Sequence, residues 1–201
     1  MVLILLQLTQ RGVKMKKLIF IAVVVLAVSG GVFAQQNTGP VQAILNHFAA
    51  RNFATGAIPS ADLQLILQAG IRAPSARNGQ PWHFTVVQNQ NLAKQLVSNI
   101  VDGNALIIVS ATGDGKTNGD QILDCGLAVE SIYLAAQALG YGARIMTGPM
   151  DTLNSRFKGD LSLPSGYSAV ALIRVGKVQD PIDAVSSASP RKRAEELVTY
   201  K

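Results

Sequence analysis

The sequence predicts a single domain of the α+β class. Helical and strand patterns are interspersed along the chain without the regular β-α-β order that a parallel sheet requires, which is typical of that class. Hydrophobic residues make up 48% of the 201 residues, and the 167 residues that follow residue 34 are enough for one domain with its own core. No internal repeat or linker divides this part of the sequence.

Apolar residues at helical spacing predict two helices in the first part of the domain. Apolar positions 41, 44, 45 and 48 predict a helix over 41–52. Pro59 and Ser60 predict the start of a second helix, with Ser60 as its N-cap and Asp62 in its first turn. The elements expected next are a strand over 84–87, a helix over 92–101 and a turn over 102–104.

The centre of the sequence predicts the core. The apolar run at 105–111 predicts a strand that is covered on both faces, and the Ala-rich run at 124–139 predicts a central helix that ends at Gly140. Cys125 is the only cysteine, which excludes an intrachain disulfide and predicts a small buried side chain. The elements expected after this helix are a strand over 142–146, a helix over 151–157, a strand over 167–175 and a tail over 194–200.

The first 34 residues have the pattern of a secretory signal peptide. Three lysines precede an apolar run at 18–28, and Val32 and Ala34 are the small residues that a signal peptidase requires before its cleavage site. A retained membrane anchor is the alternative, but the run is shorter than the ~20 residues of a spanning helix. We therefore expect cleavage after Ala34 in a chain that starts at Met1 or Met15.

Export has consequences for organisation and charge. We expect a disordered stretch at 35–40, a folded domain over 41–201, contact with a membrane only during export, and a periplasmic or extracellular location. Of the 18 Lys and Arg residues, four precede residue 35, so 14 remain against 12 acidic residues. This small excess gives no support to nucleic-acid binding.

Residues 73–84 carry the most informative local pattern, Ala-Pro-Ser-Ala-Arg-Asn-Gly-Gln-Pro-Trp-His-Phe. The two prolines fix φ and each removes a backbone donor, which favours a stiff loop. This loop presents Ser75, Asn78 and Gln80 as hydrogen-bonding groups beside Trp82. A capped turn between a helix and a strand is the alternative interpretation of the same composition.

This run resembles the APS-x-x-N-x-QPW signature of the FMN-dependent nitroreductase family. The resemblance continues in order through the Ala-rich helix, through Gly148-Pro149-Met150 and through the basic motif at 190–198. It implies the fold of that family, a central and mostly antiparallel sheet flanked by helices, in an intertwined homodimer.

The resemblance also implies which residues bind FMN. The loop residues that line the flavin, which in the family is bound mainly by the other subunit, are Pro74, Ser75, Ala76, Asn78 and Gln80. The residues that approach the ring through their backbone are Thr147, Gly148 and Pro149. The residues that hold the phosphate are Arg51, Arg191 and Arg193.

The chain departs from the family at the end of the first helix. His47 and Ala49 stand where family members carry an Arg and a Ser that contact the phosphate, which predicts weaker retention of FMN. An ordinary half-buried histidine is the alternative for His47. A solvated basic tail is the alternative for 191–193.

The family resemblance implies an FMN-dependent oxidoreductase that reduces nitro compounds, quinones or similar small acceptors in a ping-pong reaction, with NAD(P)H or another reductant as donor. The flavin carries the chemistry, so no catalytic side chain is expected. Cys125 has no partner at metal-ligand spacing, so no metal site is expected either. The alternatives are an exported flavin-binding or carrier protein without turnover, and a fold without flavin whose loops are packing turns.

Overall fold

A four-stranded antiparallel sheet forms the centre of the computed structural model, which describes residues 39–116, 118–179 and 190–201. The strand order is β1-β2-β4-β3, and every pair of neighbours is antiparallel. The strands are β1 (Trp82–Val87), β2 (Ala105–Thr112), β3 (Gly142–Met146) and β4 (Tyr167–Gly176). The predicted class, α+β with an antiparallel sheet, is confirmed.

The chain divides into two units, residues 1–42 and 43–201, and the sheet and the candidate site belong to the second. The predicted signal peptide and residues 35–38 of the predicted disordered stretch lie outside the described residues. The described helices are α1 (Gly39–Asn46), α2 (Ser60–Ile71), α3 (Gln90–Leu96), α4 (Gly119–Ala138), α5 (Met150–Arg156) and α6 (Ala194–Leu197), and Ala76–Asn78 forms a single 3-10 turn.

Strand β2 is covered on both faces, as its continuous apolar sequence predicts. Ile107 and Val109 face one layer of helices, and Leu106 and Ile108 face the other, all with 0% exposure. Full burial stabilises each such side chain by about 1.5–3 kcal/mol relative to leaving it in water. The middle of β2 is therefore the part of the sheet that both layers share.

Two helix layers cover the sheet. Helices α2 and α4 pack on one face, and α3 and α5 pack on the other. Helices α2 and α4 approach closely at Gly70, where a Cβ atom would lie 2.6 Å from Cγ1 of Ile132. Any larger residue at this position would force the Ile132 side chain or the two helices to shift.

Helix α4 begins earlier than the sequence predicts, at Gly119 instead of residue 124. The side chain of Asn118 caps it by accepting a hydrogen bond from the amide of Gln121 at 3.3 Å. Gly140 ends it with φ of +83°, and the amide of Tyr141 donates to the carbonyl of Ala136. The predicted glycine terminator is thus confirmed, and the asparagine cap is the signal that the prediction missed.

The first predicted helix, over 41–52, is wrong at both ends, because α1 starts at Gly39 and stops at Asn46. The residues that follow pair with the sheet instead. Ala49 forms a parallel bridge with Ala143, and the amide of Ala54 donates to the carbonyl of Lys177 at 2.9 Å. Tertiary pairing outcompetes the local helical pattern here.

Two further helix starts differ from the predictions. Ser60 is the first residue of α2 and makes no side-chain cap bond, because Pro59 occupies the N-cap position. Helix α3 spans Gln90–Leu96 instead of 92–101, since the side chain of Asn89 accepts bonds from the amides of Asn91 and Leu92.

The sheet topology gathers four connections at one end. The start of β1, the end of β2, the end of β3 and the start of β4 all lie there, because neighbouring strands run in opposite directions. We call this the loop end of the sheet. It carries residues 73–81, 113–116 and 147–149, whereas residues 47–54 pair with β3 and with the residues just after β4 near the opposite end.

Candidate functional site

The 75–80 loop has an unusual backbone. Three residues that are not glycine have positive φ, namely Arg77 at 52°, Asn78 at 56° and Gln80 at 45°. Each such residue costs on the order of 1 kcal/mol or more, so the surroundings must hold it in place. Strain of this kind clusters at functional sites, which makes the loop a candidate site on geometry alone.

Several hydrogen bonds hold this loop. Oδ1 of Asp124, a residue of α4 that is 6% exposed, accepts a hydrogen bond from the amide of Ala76 at 3.0 Å. The hydroxyl of Ser75 accepts from the amide of Gln80 at 3.1 Å, and the Gln80 side chain donates to the carbonyl of Asn78 at 3.3 Å. The loop is thus anchored on the central helix, while Pro74, Asn78 and Gln80 remain exposed.

Asp124 is a site residue that the sequence interpretation missed. An acidic residue inside an otherwise apolar helical run was the available signal, because a buried carboxylate requires a hydrogen-bond donor.

The 147–149 turn connects β3 to α5 at the loop end. The amide of Met150 donates to the carbonyl of Thr147 at 3.2 Å and closes the turn. Thr147 and Gly148 are exposed, and a Cβ atom at Gly148 would meet nothing within 4 Å. The backbone of this turn is therefore open to a flat molecule that lies against it.

A cavity of about 230 Å³ lies beside this turn. Its wall is formed by residues of the loop after β2, the 147–149 turn, α5 and β4, which are Asp114, Gly115, Lys116, Thr147, Met150, Asp151, Asn154, Ala169 and Val170. The Asn154 amide both donates to the carbonyl and accepts from the amide of Ala169, at 2.9 and 2.7 Å, and so fixes β4 beside its bulge.

An ion pair bridges this cavity. Nζ of Lys116 lies 2.7 Å from Oδ1 of Asp151, and the hydrogen bond to Asp151, followed by the charge of that carboxylate, raises the pKa of Lys116. The sequence pattern predicts no site residue between 112 and 123, and so misses the cavity that residues 114–116 help to form.

Near the opposite end of the sheet, residues 47–51 pack on α4. The hydroxyl of Tyr133 donates to the carbonyl of Phe48 at 2.7 Å, and the amide of Phe48 donates to Oε1 of Gln137 at 2.9 Å. The rings of His47 and Tyr133 are in an edge-to-face arrangement, with centroids 5.6 Å apart. These contacts agree with the alternative in which His47 is an ordinary half-buried histidine.

Two predicted phosphate ligands lie in this region. Arg51 is exposed and directly follows Ala50, whose amide donates to the carbonyl of Ala143 at the start of β3. Burial raises the pKa of Tyr133, and the hydrogen bond with Gln137 and the positive charge of Arg191 oppose that rise, so Arg191 lies within electrostatic range of this hydroxyl. Arg193 instead pairs with Glu196 at 3.5 Å within the exposed tail.

The predicted site residues thus fall into three groups along the sheet. Arg51 lies near the start of β3, and Arg191 lies within electrostatic range of Tyr133, which bonds to the adjacent residue 48; the 147–149 turn follows the end of β3, ~10 Å further along the strand. The 75–80 loop precedes β1, and two strands separate β1 from β3, so the two strand axes are ~14 Å apart. One chain therefore brings the first two groups to one edge of the sheet and the third to the other edge.

Cys125 takes no part in this arrangement. It is 1% exposed, as predicted, and burial, followed by the charge of Asp124, raises the pKa of its thiol to about 11. In the parts of the chain that the structure describes, His, Cys, Asp and Glu side chains form no group of three or more that could hold a metal ion. Within those same ranges, no helix has the length and apolar character needed to cross a bilayer.

Comparisons with known proteins agree on one family. The model of the nitroreductase family matches residues 44–111 and 98–177. A candidate NADH dehydrogenase/NAD(P)H nitroreductase of Archaeoglobus fulgidus is 30% identical over 136 residues, which are 63% of this chain and 78% of that protein.

Solved structures show the same fold. A candidate nitroreductase of Desulfovibrio desulfuricans, solved in complex with FMN, is 29% identical with a TM-score of 0.66, over 81% of this chain and 96% of that one. A nitroreductase of Desulfitobacterium hafniense with bound FMN has a TM-score of 0.67 at 22% identity, over 81% of this chain and 98% of that one.

Proposed function

The chain belongs to the nitroreductase family, and from this premise we propose that it is an FMN-dependent oxidoreductase that reduces nitro compounds, quinones or similar acceptors. The relative from Desulfovibrio desulfuricans, solved with FMN, supports the cofactor. The relative from Archaeoglobus fulgidus, whose name includes NAD(P)H nitroreductase, supports NAD(P)H as the electron donor.

The donor groups along β3 fit this cofactor. Arg51 directly follows Ala50, which bonds to the start of the strand, and the charge of Arg191 reaches Tyr133 on α4; guanidinium groups of this kind suit a dianionic phosphate. The open backbone at Gly148 follows the end of the strand, which lies ~10 Å beyond Ala143, and matches a flat heterocycle. This spacing of cationic and neutral groups along one edge strand is the observation that carries the proposal.

The role of the protein's own residues is to bind the cofactor and to orient it. Arg51 and Arg191 would hold the phosphate, and the 147–149 turn would hold the ring by its backbone. When bound, FMN supplies the redox chemistry, taking electrons from a donor and passing them to an acceptor in two half-reactions. No described side chain is required as a nucleophile, in agreement with the inert environment of Cys125.

We further propose that the site is shared between two copies of the chain. The 75–80 loop lies on the far edge of the sheet from β3 and cannot complete the site of its own chain, so a second copy would supply it. Helix α4 offers a face for such a copy, since Leu123 and Leu127 are 65% and 38% exposed and flank the bare backbone of Gly126.

We also propose that the protein is exported, on the signal-peptide pattern of its first 34 residues. Protein expressed with this leader should begin at Gln35. N-terminal sequencing that finds Met1 or Met15 would contradict export.

The function is tested by the flavin spectrum. Purified protein is loaded with FMN, freed of excess cofactor and mixed with NADH or NADPH without oxygen. We expect the flavin absorption to bleach and then to return on addition of 4-nitrobenzamide. Bleaching by dithionite alone would contradict the nicotinamide donor, and a reduced flavin that no acceptor reoxidises would support the carrier alternative. Failure to bind FMN at all would refute the proposal.

A further inference from the structure

The position and the charge of the cavity bridged by Lys116 and Asp151 indicate that it is a binding pocket for a small ligand. Thr147 lines it, and this residue belongs to the turn that the proposed function places beside the flavin ring. Its volume of about 230 Å³ lies below the range of roughly 300–1,000 Å³ that is typical of pockets for larger ligands. A molecule with one aromatic ring matches this size.

The charged groups of the cavity do not balance. Asp114 and Asp151 contribute two carboxylates and Lys116 one ammonium group, and the other lining residues carry no charge. The ammonium is already bound to Asp151 at 2.7 Å, and the backbone amide of Lys116 donates to Oδ1 of Asp114 at 2.8 Å. An anion that enters this cavity meets an excess of negative charge, and it has to share Lys116 with the carboxylate of Asp151.

The ion pair is able to exchange partners. The side chains of Lys116 and Asp151 are 67% and 82% exposed, so water reaches both. Exposed pairs of this kind are weak and are screened by salt. A cationic or polar group on a ligand can therefore compete for Asp151 without a rearrangement of the fold.

We propose that this cavity is the acceptor pocket and that its charge selects neutral and cationic single-ring nitroaromatics over anionic ones. This inference rests on the proposed function. In each turnover NAD(P)H and one proton reduce the nitro group to a nitroso group, yielding NAD(P)⁺ and water, while the flavin returns to its oxidised form. Asp151 and Lys116 act as specificity residues and take no part in the chemistry.

The test uses three probes of nearly equal shape, 4-nitrobenzoate, 4-nitrobenzamide and 4-nitrobenzamidine, which are anionic, neutral and cationic. The ratio of kcat/KM between two probes is compared between variants, because this cancels the intrinsic reactivity of each nitro group. The variants are Asp151→Asn and Lys116→Gln. Asp160→Asn is the matched control, since Asp160 is an exposed acid outside the cavity lining.

We expect Asp151→Asn to raise the ratio of benzoate to benzamide by about two- to fivefold at low salt, the range that exposed ion pairs reach. Lys116→Gln should lower that ratio and raise the ratio of amidine to benzamide, and Asp160→Asn should change neither. If all three probes turn over and Asp151→Asn leaves both ratios at wild-type values, the selection by charge is wrong while the proposed function stands.

A binding measurement tests the charge preference of the cavity separately from the proposed function. Benzamidine and benzoate, which cannot be reduced here, are titrated by calorimetry into protein with and without FMN. We expect benzamidine to bind more tightly, with the preference reduced in Asp151→Asn. If FMN fails to bind, the proposed function fails, but the titration still tests the charge preference of the cavity. Equal affinities for benzamidine and benzoate in the wild type, or an unchanged preference in Asp151→Asn, would overturn the inference.

Discussion

Asp124 and Ala76 join the central helix to the strained loop: a carboxylate oxygen that is shielded from solvent accepts the amide of Ala76 at 3.0 Å. The two residues are 48 positions apart in sequence, so the bond is a tertiary contact between the loop and α4. It holds the first residue of a 3-10 turn whose next two residues have positive φ.

Removal of this carboxylate should loosen the loop. Asp124→Ala leaves the amide of Ala76 without its partner, which should cost about 1–3 kcal/mol of the free energy of unfolding. Asp124→Asn keeps an acceptor oxygen and should cost less. Urea denaturation of the three proteins measures the difference, and equal losses in both variants would show that the charge, and not the hydrogen bond, is what matters.

The sequence predicts the regular core well and the irregular segments poorly. The strand at 142–146 has the predicted bounds, and β2 exceeds its prediction by one residue, because its continuous apolar run leaves few alternatives. The helix over 41–52 fails, since nothing local reveals that Ala49 and Ala54 pair with distant strands.

The same limit applies to the site. Ser75, Asn78 and Gln80 stand out because a stiff loop of proline and amide residues is rare, and their hydrogen bonds within the loop are local. Asp124 and the Lys116–Asp151 pair depend on contacts across 48 and 35 positions, and no spacing in the sequence shows them. The sequence therefore indicates which loops carry candidate site residues, but it does not show which distant side chains anchor or surround those loops.

Tyr141 should make stability depend on alkaline pH. Its hydroxyl donates to Oδ2 of Asp62 at 2.5 Å, and burial first, then this hydrogen bond and the carboxylate charge, raise the pKa of Tyr141 from 10 to about 12. A raised pKa of an acidic group means that the unfolded chain ionises first. The contribution of the Tyr141 hydroxyl to the free energy of unfolding is complete below pH 10 and is lost as the pH rises through about 12.

Tyr141→Phe removes this contribution and should cost about 1–2 kcal/mol at pH 8. Urea denaturation at pH 8, 10 and 11.5 should show that the difference in free energy of unfolding between the wild type and Tyr141→Phe becomes smaller as the pH rises. A difference that stays constant over this range would contradict the assignment.

Cys125 should be inert in the folded protein. The thiol is 1% exposed and its pKa is raised to about 11, so neither access nor ionisation favours attack. We expect reaction with Ellman's reagent at pH 8 to occur only on unfolding, with one thiol released in urea. Rapid reaction without denaturant would contradict the described packing of α4.

Arg191 should recognise the phosphate of FMN. Arg191→Ala removes a charge-assisted contact and should weaken FMN binding about tenfold to hundredfold, the effect of ~1.5–3 kcal/mol. Riboflavin, which lacks the phosphate, should bind both proteins alike. Arg193→Ala should have a smaller effect, because its guanidinium already pairs with Glu196. Flavin fluorescence titrations give all these constants, and equal FMN affinity in Arg191→Ala would mean that the basic segment is only a solvated tail.

The central claim is that β3 of one chain and the 75–80 loop of another share one flavin, and complementation between two defective variants tests it. The loop variant carries Asn78→Gly and Gln80→Gly, because glycine readily adopts the positive φ of these positions and removes only the side-chain amide groups. The clamp variant carries Arg51→Ala and Arg191→Ala. Each should bind FMN poorly as a homodimer, since both of its sites are damaged.

The deciding measurement is the FMN content of mixed dimers, purified through a different affinity tag on each variant. A mixed dimer carries both defects in one site and none in the other, so we expect about one FMN per dimer with near wild-type affinity. Mixed dimers that bind FMN no better than either variant alone would contradict a site shared between two chains.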